Sequence, residues 1–191
     1  MWKPFFFALS LCIAWPGLPG PMGLASEQVQ DERELRLERL FARLQQAPDA
    51  QAAAPVEATI KSIFSQHDSP TAELLLKQSD TAFSAGDFLQ ALNLLDVLTD
   101  QYPEFAEAFS RRATVLFLLG ENERSLADLE QVLRLEPRHF GALGGMGLVQ
   151  RAQGRLPEAL AALRQALAIH PHMRGVQQLA DEIAAQIEHS I

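Results

Sequence analysis

Cysteine is nearly absent: Cys12 is the only one in 191 residues. It lies in an apolar N-terminal run, Phe5 to Trp15, so no disulfide can form within the chain, and removal of that run would leave no thiolate and no cysteine ligand for a metal. The run itself is shorter than the roughly 20 residues a bilayer-spanning helix needs. Basic charge is also scarce. Lys and Arg number 16 against 24 Asp and Glu, a net charge of −8, which makes a poor general binder of nucleic acid or anionic membrane. Of the histidines His67, His139, His170, His172 and His189, only His170 and His172 are close in sequence. They flank Pro171 with no carboxylate or cysteine beside them, a weak ligand set for a metal. Gly141, Gly144, Gly145 and Gly147 form no phosphate-binding loop, because no strand precedes them and no Lys-Ser/Thr pair follows. No recognisable grouping of nucleophile, base and acid occurs, so the chain is expected to be no enzyme and to carry no cofactor.

Residues 1–25 have the organisation of an export signal. Lys3 is the sole charge, the apolar run follows, and Pro16, Gly17, Pro19, Gly20 and Pro21 break any helix before the small residues around Gly23-Leu24-Ala25. Cleavage near Ala25 removes Lys3 and leaves the remainder more acidic than the whole. An uncleaved N-terminal anchor is the alternative. Lipid attachment at Cys12 is disfavoured by the bulky Leu11 before it and by the apolar run continuing past it.

The body of the chain is one 34-residue unit written three times without insertion: residues 72–105, 106–139 and 140–173. Gly86, Gly120 and Gly154 hold place 15, and Pro103, Pro137 and Pro171 hold place 32. Between them apolar residues recur at helical steps of three, four and seven, as in Phe109, Ala113, Leu116 and then Leu126, Leu129, Val132. A glycine between two such stripes supplies the left-handed residue that ends a helix, and a proline after the second cannot continue one. Each unit is therefore helix, turn, helix, turn. One hairpin cannot bury both faces, so neighbours must stack and share a core.

This pattern resembles the tetratricopeptide repeat. Place 8 is small (Ser79, Ala113, Gly147), as is place 20 (Ala91, Ser125, Ala159). Place 24 is Leu95, Leu129 and Leu163. Place 27 departs in two units (Leu98, Val132) and matches in the third (Ala166), and place 4 is Leu75, Phe109 and Leu143. The resemblance implies an all-α fold, a right-handed α-α superhelix of three clear repeats.

The flanks are read as parts of the same array. Residues 26–71 are expected to form a degenerate N-terminal hairpin, a zeroth repeat capping the stack, with an independent helical arm as the alternative. Its first helix has Leu37, Leu40, Phe41 and Leu44 on one face and a charged opposite face, with Glu32 one turn from Arg36. Its second has Val56, Ile60, Ile63 and Phe64, with Pro55 starting or kinking it. Residues 174–191 form a C-terminal capping helix, with Val176, Leu179, Ala180, Ile183 and Ile187 inward and a polar outer face. The total is nine helices.

In tetratricopeptide proteins the first helices of the repeats line a concave groove, at places 2, 5, 6, 9, 12 and 13. Mapped here, the resemblance gives an apolar strip of Leu76, Phe83, Phe117, Leu118 and Leu148 beside three cations, Lys77, Arg111 and Arg151. Gly141, Gly144 and Gly145 would leave a pocket in the groove's floor. The expected ligand is an extended or helical protein segment with apolar anchors and one acidic group. A groove filled by the C-terminal helix is the bland alternative. The places where related co-chaperones clamp Hsp70 or Hsp90 tails hold Leu76, Asp80, Arg111, Gly141 and Gly145 here, and none matches the clamp. The chain thus resembles small exported bacterial repeat proteins. It is expected to be a periplasmic or secreted scaffold for a protein or peptide partner, with no nucleic acid, no stable membrane span after cleavage and self-association open. The alternatives are a small-ligand or lipid-binding module and a non-catalytic subunit of an envelope enzyme complex.

Overall fold

The computed structural model describes residues 21–189, with 21–29 as backbone only. The apolar run and Cys12 lie outside the described residues, as do the breakers up to Gly20. The described residues form nine helices and no strand: α1 Pro21–Gln45, α2 Ala50–Phe64, α3 Pro70–Ser84, α4 Phe88–Gln101, α5 Ala106–Leu118, α6 Asn122–Leu135, α7 Phe140–Ala152, α8 Leu156–Ile169 and α9 Arg174–Glu188. Pro21 opens α1 rather than breaking it. The chain divides within α1. Residues up to Arg36 are one unit, whose side chains from Gln30 to Arg36 are all exposed, and Leu37–Ile191 are the other.

Within the second unit the repeats pair as expected: α3 with α4, α5 with α6, α7 with α8, each pair stacking through α4 on α5, α6 on α7 and α8 on α9. The turn inside each hairpin is the same motif three times. Gly86, Gly120 and Gly154 have φ of 78°, 82° and 75°. The N–H of the following residue donates back across the turn, Asp87 to the Ala82 carbonyl, Glu121 to Leu116 and Arg155 to Gln150, each at 2.9 Å. That 6→1 bond with a left-handed glycine is the Schellman ending of a helix, which side chains with a Cβ adopt at a penalty of about 1–2 kcal/mol.

The small places are contact points. In the second repeat the Ser125 hydroxyl, buried at place 20, donates to the Ala113 carbonyl at place 8, 2.8 Å away. In the third, a Cβ on Gly147 would stand 2.6 Å from Leu163 and 3.2 Å from the Ala159 carbonyl oxygen. That close approach of α7 to α8 offsets the roughly 1 kcal/mol a mid-helix glycine loses against alanine. At the end of the stack, α9 buries Leu179, Ala180 and Ile183 against Ala159, Leu160 and Leu163 of α8, and leaves Gln177, Asp181 and Glu182 exposed. It caps the array and does not enter the groove.

The N-terminal hairpin departs from expectation in its position. It is not stacked ahead of α3 as a zeroth repeat: among the described residues no pairing comparable to α4 on α5 joins α2 to α3. Leu37, Leu40, Phe41, Leu44, Ala53, Val56, Ile60, Ile63 and Phe64 bury one another and close over Phe140, Ile169 and Met173. The hairpin therefore lies along the turns that connect the repeats. The Phe64 ring stacks on His139 at 4.7 Å, Phe41 meets Phe140 edge-on, and the Arg138 guanidinium sits over the Phe41 ring. α2 begins at Ala50, where the Asp49 carboxylate accepts the Ala52 N–H at 2.8 Å, and runs on through Pro55.

Candidate functional site: the face of the first helices

The first helices of the three repeats, followed by α9, form one face. Ion pairs cross it between neighbours: Arg111 on α5 to Asp80 on α3 at 3.5 Å, and Arg151 on α7 to Glu182 on α9 at 3.7 Å. A cavity of about 570 Å³ opens in it between α5, α7 and α9. Gly141, Gly144 and Gly145 line it, joined by Thr114, Leu148, Leu163, Leu179 and the segment 172–176, and by Glu57 of α2. A Cβ on Gly144 would meet only Val176 and Met173 at 3.5 and 3.8 Å, ordinary contact distances. Nothing about helix packing requires glycine there, so the floor is open by composition rather than by steric need. The volume lies in the range of small-ligand and side-chain pockets.

The predicted strip is only partly assembled. Leu148, 44% exposed, lines the cavity, and Leu118, 50% exposed, lies on the same series of helices. Phe83 and Phe117 are half-buried: Phe83 packs 5.5 Å from Phe88, and Phe117 packs against the cluster of Phe109, Leu126 and Leu129. Leu76 belongs to the core, not the strip, at 4% exposure among Ala72, Leu95 and Ala108.

Two of the three cations have ion-pair partners. Arg111 is bound to Glu107 at 2.9 Å as well as facing Asp80, and Arg151 faces Glu182. Of the three, only Lys77 is exposed with no ion pair within the described residues. Asp80 has its carboxyl pushed above the usual range by burial and by the nearby Glu107, against the pull of Arg111. Of the cationic seat expected for an acidic anchor, Arg111 is taken up by the buried Glu107, while the exposed pair of Arg151 with Glu182 is weak and, like Lys77, can be met by a ligand.

The cavity's charged rim comes from residues the groove mapping did not include. Arg174 opens α9 and forms no ion pair among the described residues. Had the repeat register been continued past residue 173, Arg174, Gly175, Val176 and Leu179 would have fallen at places 1, 2, 3 and 6. Glu57 carries no such signal, because it sits on the hairpin outside the repeats. Its Oε1 is 2.6 Å from Lys61 Nζ and its Oε2 is 3.1 Å from His170 Nε2. Burial alone would raise this carboxyl, but the hydrogen bonds from Lys61 and His170 overcome it and hold the group below the usual carboxylate range. It is therefore ionised at neutral pH. His172 also lines the cavity, with Nε2 donating to the Ala47 carbonyl at 2.7 Å. No group of three or more metal-ligating side chains occurs among the described residues.

Comparison with known proteins fits this geometry. The tetratricopeptide repeat family model matches residues 76–127 and 111–173. A repeat-containing protein of this kind from Rhizobium etli is 34% identical over 152 residues, spanning 80% of this chain and 74% of that protein. The chain belongs to the tetratricopeptide repeat family. Among solved structures, the first repeat domain of Spaghetti (RPAP3) bound to an HSP90 peptide superposes with a TM-score of 0.61 at 20% identity, over 63% of this chain and 96% of that one. The TPR2B domain of yeast Sti1 in complex with an Hsp70 peptide gives 0.58 at 22% identity, over 62% and 99%. At these identities the likeness is one of fold, and it confirms the right-handed superhelix. Proteins of this fold typically act as interaction modules rather than catalysts.

Proposed function

We propose that the chain is a non-enzymatic scaffold of the bacterial cell envelope that holds a segment of a partner protein in the groove formed by α3, α5, α7 and α9. One observation carries this: a cavity floored by glycines and edged by the exposed Leu148 lies on the face of the first helices. An apolar side chain from a partner would remove that exposed surface from water at about 25 cal/mol per Å². The neighbours solved with peptides bound support the class of ligand, and the family's use as an interaction module supports the absence of catalysis. Export rests on the N-terminal sequence pattern, with the mature protein beginning near Ser26, in the periplasm or outside the cell.

The cavity's size and its glycine and apolar lining also favour a second reading, in which the same open pocket takes a small apolar ligand or lipid. Photo-crosslinking in native cells from a probe at Leu148, with Glu130 on α6 as the outward control, separates the two. A discrete protein adduct from 148 and none from 130 supports the scaffold. A folded, exported protein that gives no protein adduct from 148, yet releases a small molecule on denaturation, supports the second. Mass spectrometry of the native N-terminus tests cleavage: an intact Met1 would overturn it and leave the uncleaved N-terminal anchor.

A further inference from the structure

Among the described residues Glu57 is the only acidic one lining the cavity, and the repeats do not supply it. Its position is fixed from the protein side. His170 Nδ1 faces the N–H of His172 as acceptor, so Nε2 carries the proton and donates to Glu57. His170 is buried, and its ring is held edge-on to Phe140. The other tie is different in kind. Lys61 is one helical turn along α2 with its side chain 60% exposed, and an exposed pair at that spacing is weak and easily exchanged. A base arriving with a partner would meet the same carboxylate from inside a pocket from which the partner excludes water, where the attraction is stronger. Across the lining, Arg174 is the other full charge, and it forms no ion pair among the described residues. The rim is therefore dipolar, negative at α2 and positive at the start of α9, with glycines and apolar side chains between.

Building on the groove reading, we propose that Glu57 is a specificity-determining residue. Through it the N-terminal hairpin selects a partner segment in which a bulky apolar residue, seated over Gly144 and Gly145, is flanked by Lys or Arg on one side and by an acid on the other. The base takes Glu57 and the acid takes Arg174. The hairpin is then part of the recognition site and not only a brace for the repeats.

The test is selection from a phage-displayed random-peptide library on the full chain, on Glu57→Gln and on Lys61→Gln in parallel. Glutamine at 57 keeps an acceptor for His170, and Lys61 is exposed, so both variants retain the fold, which circular dichroism verifies. The native chain is expected to enrich peptides with Leu or Phe beside Lys or Arg. Glu57→Gln should keep the apolar residue, lose the preference for a base, and bind the native-selected peptides about tenfold more weakly. Lys61→Gln should bind them more tightly. Enriched peptides with no basic preference, or the same preference from Glu57→Gln, overturn the role of Glu57 and leave the groove standing. No enrichment by the native chain, or peptides indifferent to Leu148→Arg, overturns the groove itself and this inference with it.

Discussion

His170 and Glu57 are 113 residues apart in the chain and 3.1 Å apart at Nε2 and Oε2. The bond joins the turn that ends the third repeat to the middle of α2. The same turn takes one more tie from the hairpin, His172 to the Ala47 carbonyl, and the end of α8 takes another, Gln45 Nε2 to the Ala168 carbonyl at 3.2 Å. The imidazole device recurs along this edge. His67 and His139 each accept a backbone N–H at Nδ1, from Ser69 and Ala142, and face a glutamate at Nε2, Glu104 and Glu107. One row of turns is thus held by histidines, and the hairpin lies on it.

The hairpin should come away before the repeats unfold. Phe64 is buried against Phe41 and His139, and Phe64→Ala removes a core aromatic, a change that typically loses about 3–5 kcal/mol. Because the hairpin has its own core, with few residues from the repeats in it, the loss should be local. Limited proteolysis is expected to cut between Leu37 and Phe64 in the variant while the α3–α9 fragment persists. Global unfolding in a single step would contradict this.

The repeats were legible because their physics is local: a left-handed glycine, a proline and small residues at contact places recur at fixed spacing. The position of the hairpin is marked in the first repeat as well. Places 3, 7 and 10 face the preceding repeat. In the second repeat they are Ala108, Arg112 and Val115, with both apolar members fully buried, and in the third they are Ala142, Met146 and Val149. In the first they are Leu74, 54% exposed, and the exposed Gln78 and Thr81. A helix stacked there would bury an amide and a hydroxyl without partners, at about 1–3 kcal/mol for each. The polar residues fit the absence, among the described residues, of a helix stacked ahead of α3. Glu57 was not legible in any such way, since its place at the cavity comes from tertiary contacts more than a hundred residues away. Nor was the pairing of Arg111 and Arg151, whose partners lie partly on neighbouring helices.

Two glycines of α7 should respond in opposite ways. Gly147→Ala places a Cβ 2.6 Å from Leu163 and 3.2 Å from a backbone oxygen, and overpacking of this kind destabilises by about 1–3 kcal/mol. Gly144→Ala meets only ordinary contacts, and alanine gains up to about 1 kcal/mol in a helix interior. Urea denaturation should move in opposite directions for the two. Gly144→Ala should also weaken any groove ligand, because the methyl group enters the cavity. A stabilised variant with unchanged binding would show that the floor is not used.

Arg112 spans two repeats. Its guanidinium binds Asp128 bidentately, both contacts at 2.7 Å, and reaches Asp96 at 3.0 Å and the Thr99 hydroxyl. The hydrogen bonds and charge of Asp128, with Asp96, outweigh burial and raise its already high pKa. Removing the arginine strands Asp128, whose side chain is 9% exposed. Arg112→Met is expected to lose about 3 kcal/mol, at the lower end for a broken buried pair. Arg112→Met with Asp128→Leu should recover most of that loss, since the stranded charge, not the lost attraction, carries the penalty. Thermal unfolding of the single and double variants measures the coupling, and additive losses would refute it.

Glu57 and Asp80 should give the stability–pH profile contributions of opposite sign. Glu57 has its carboxyl held below its ordinary value of 4.5 in the fold, by Lys61 and His170 acting against burial. Its contribution is fully present above the unfolded value and is lost as pH falls through the folded one. Asp80 has its carboxyl raised above its ordinary value of 3.8 by burial and Glu107, despite Arg111. Its contribution is greatest below 3.8, and it is lost as pH rises through the folded value. Glu57→Gln should therefore lower stability at neutral pH, with the difference from the native chain shrinking below about pH 4.5. Asp80→Asn should raise stability at neutral pH, with its advantage vanishing in acid. Denaturant titrations of the three proteins between about pH 3 and 8 decide both. Parallel profiles for native and Glu57→Gln would mean that the carboxylate's ties to Lys61 and His170 contribute nothing in solution.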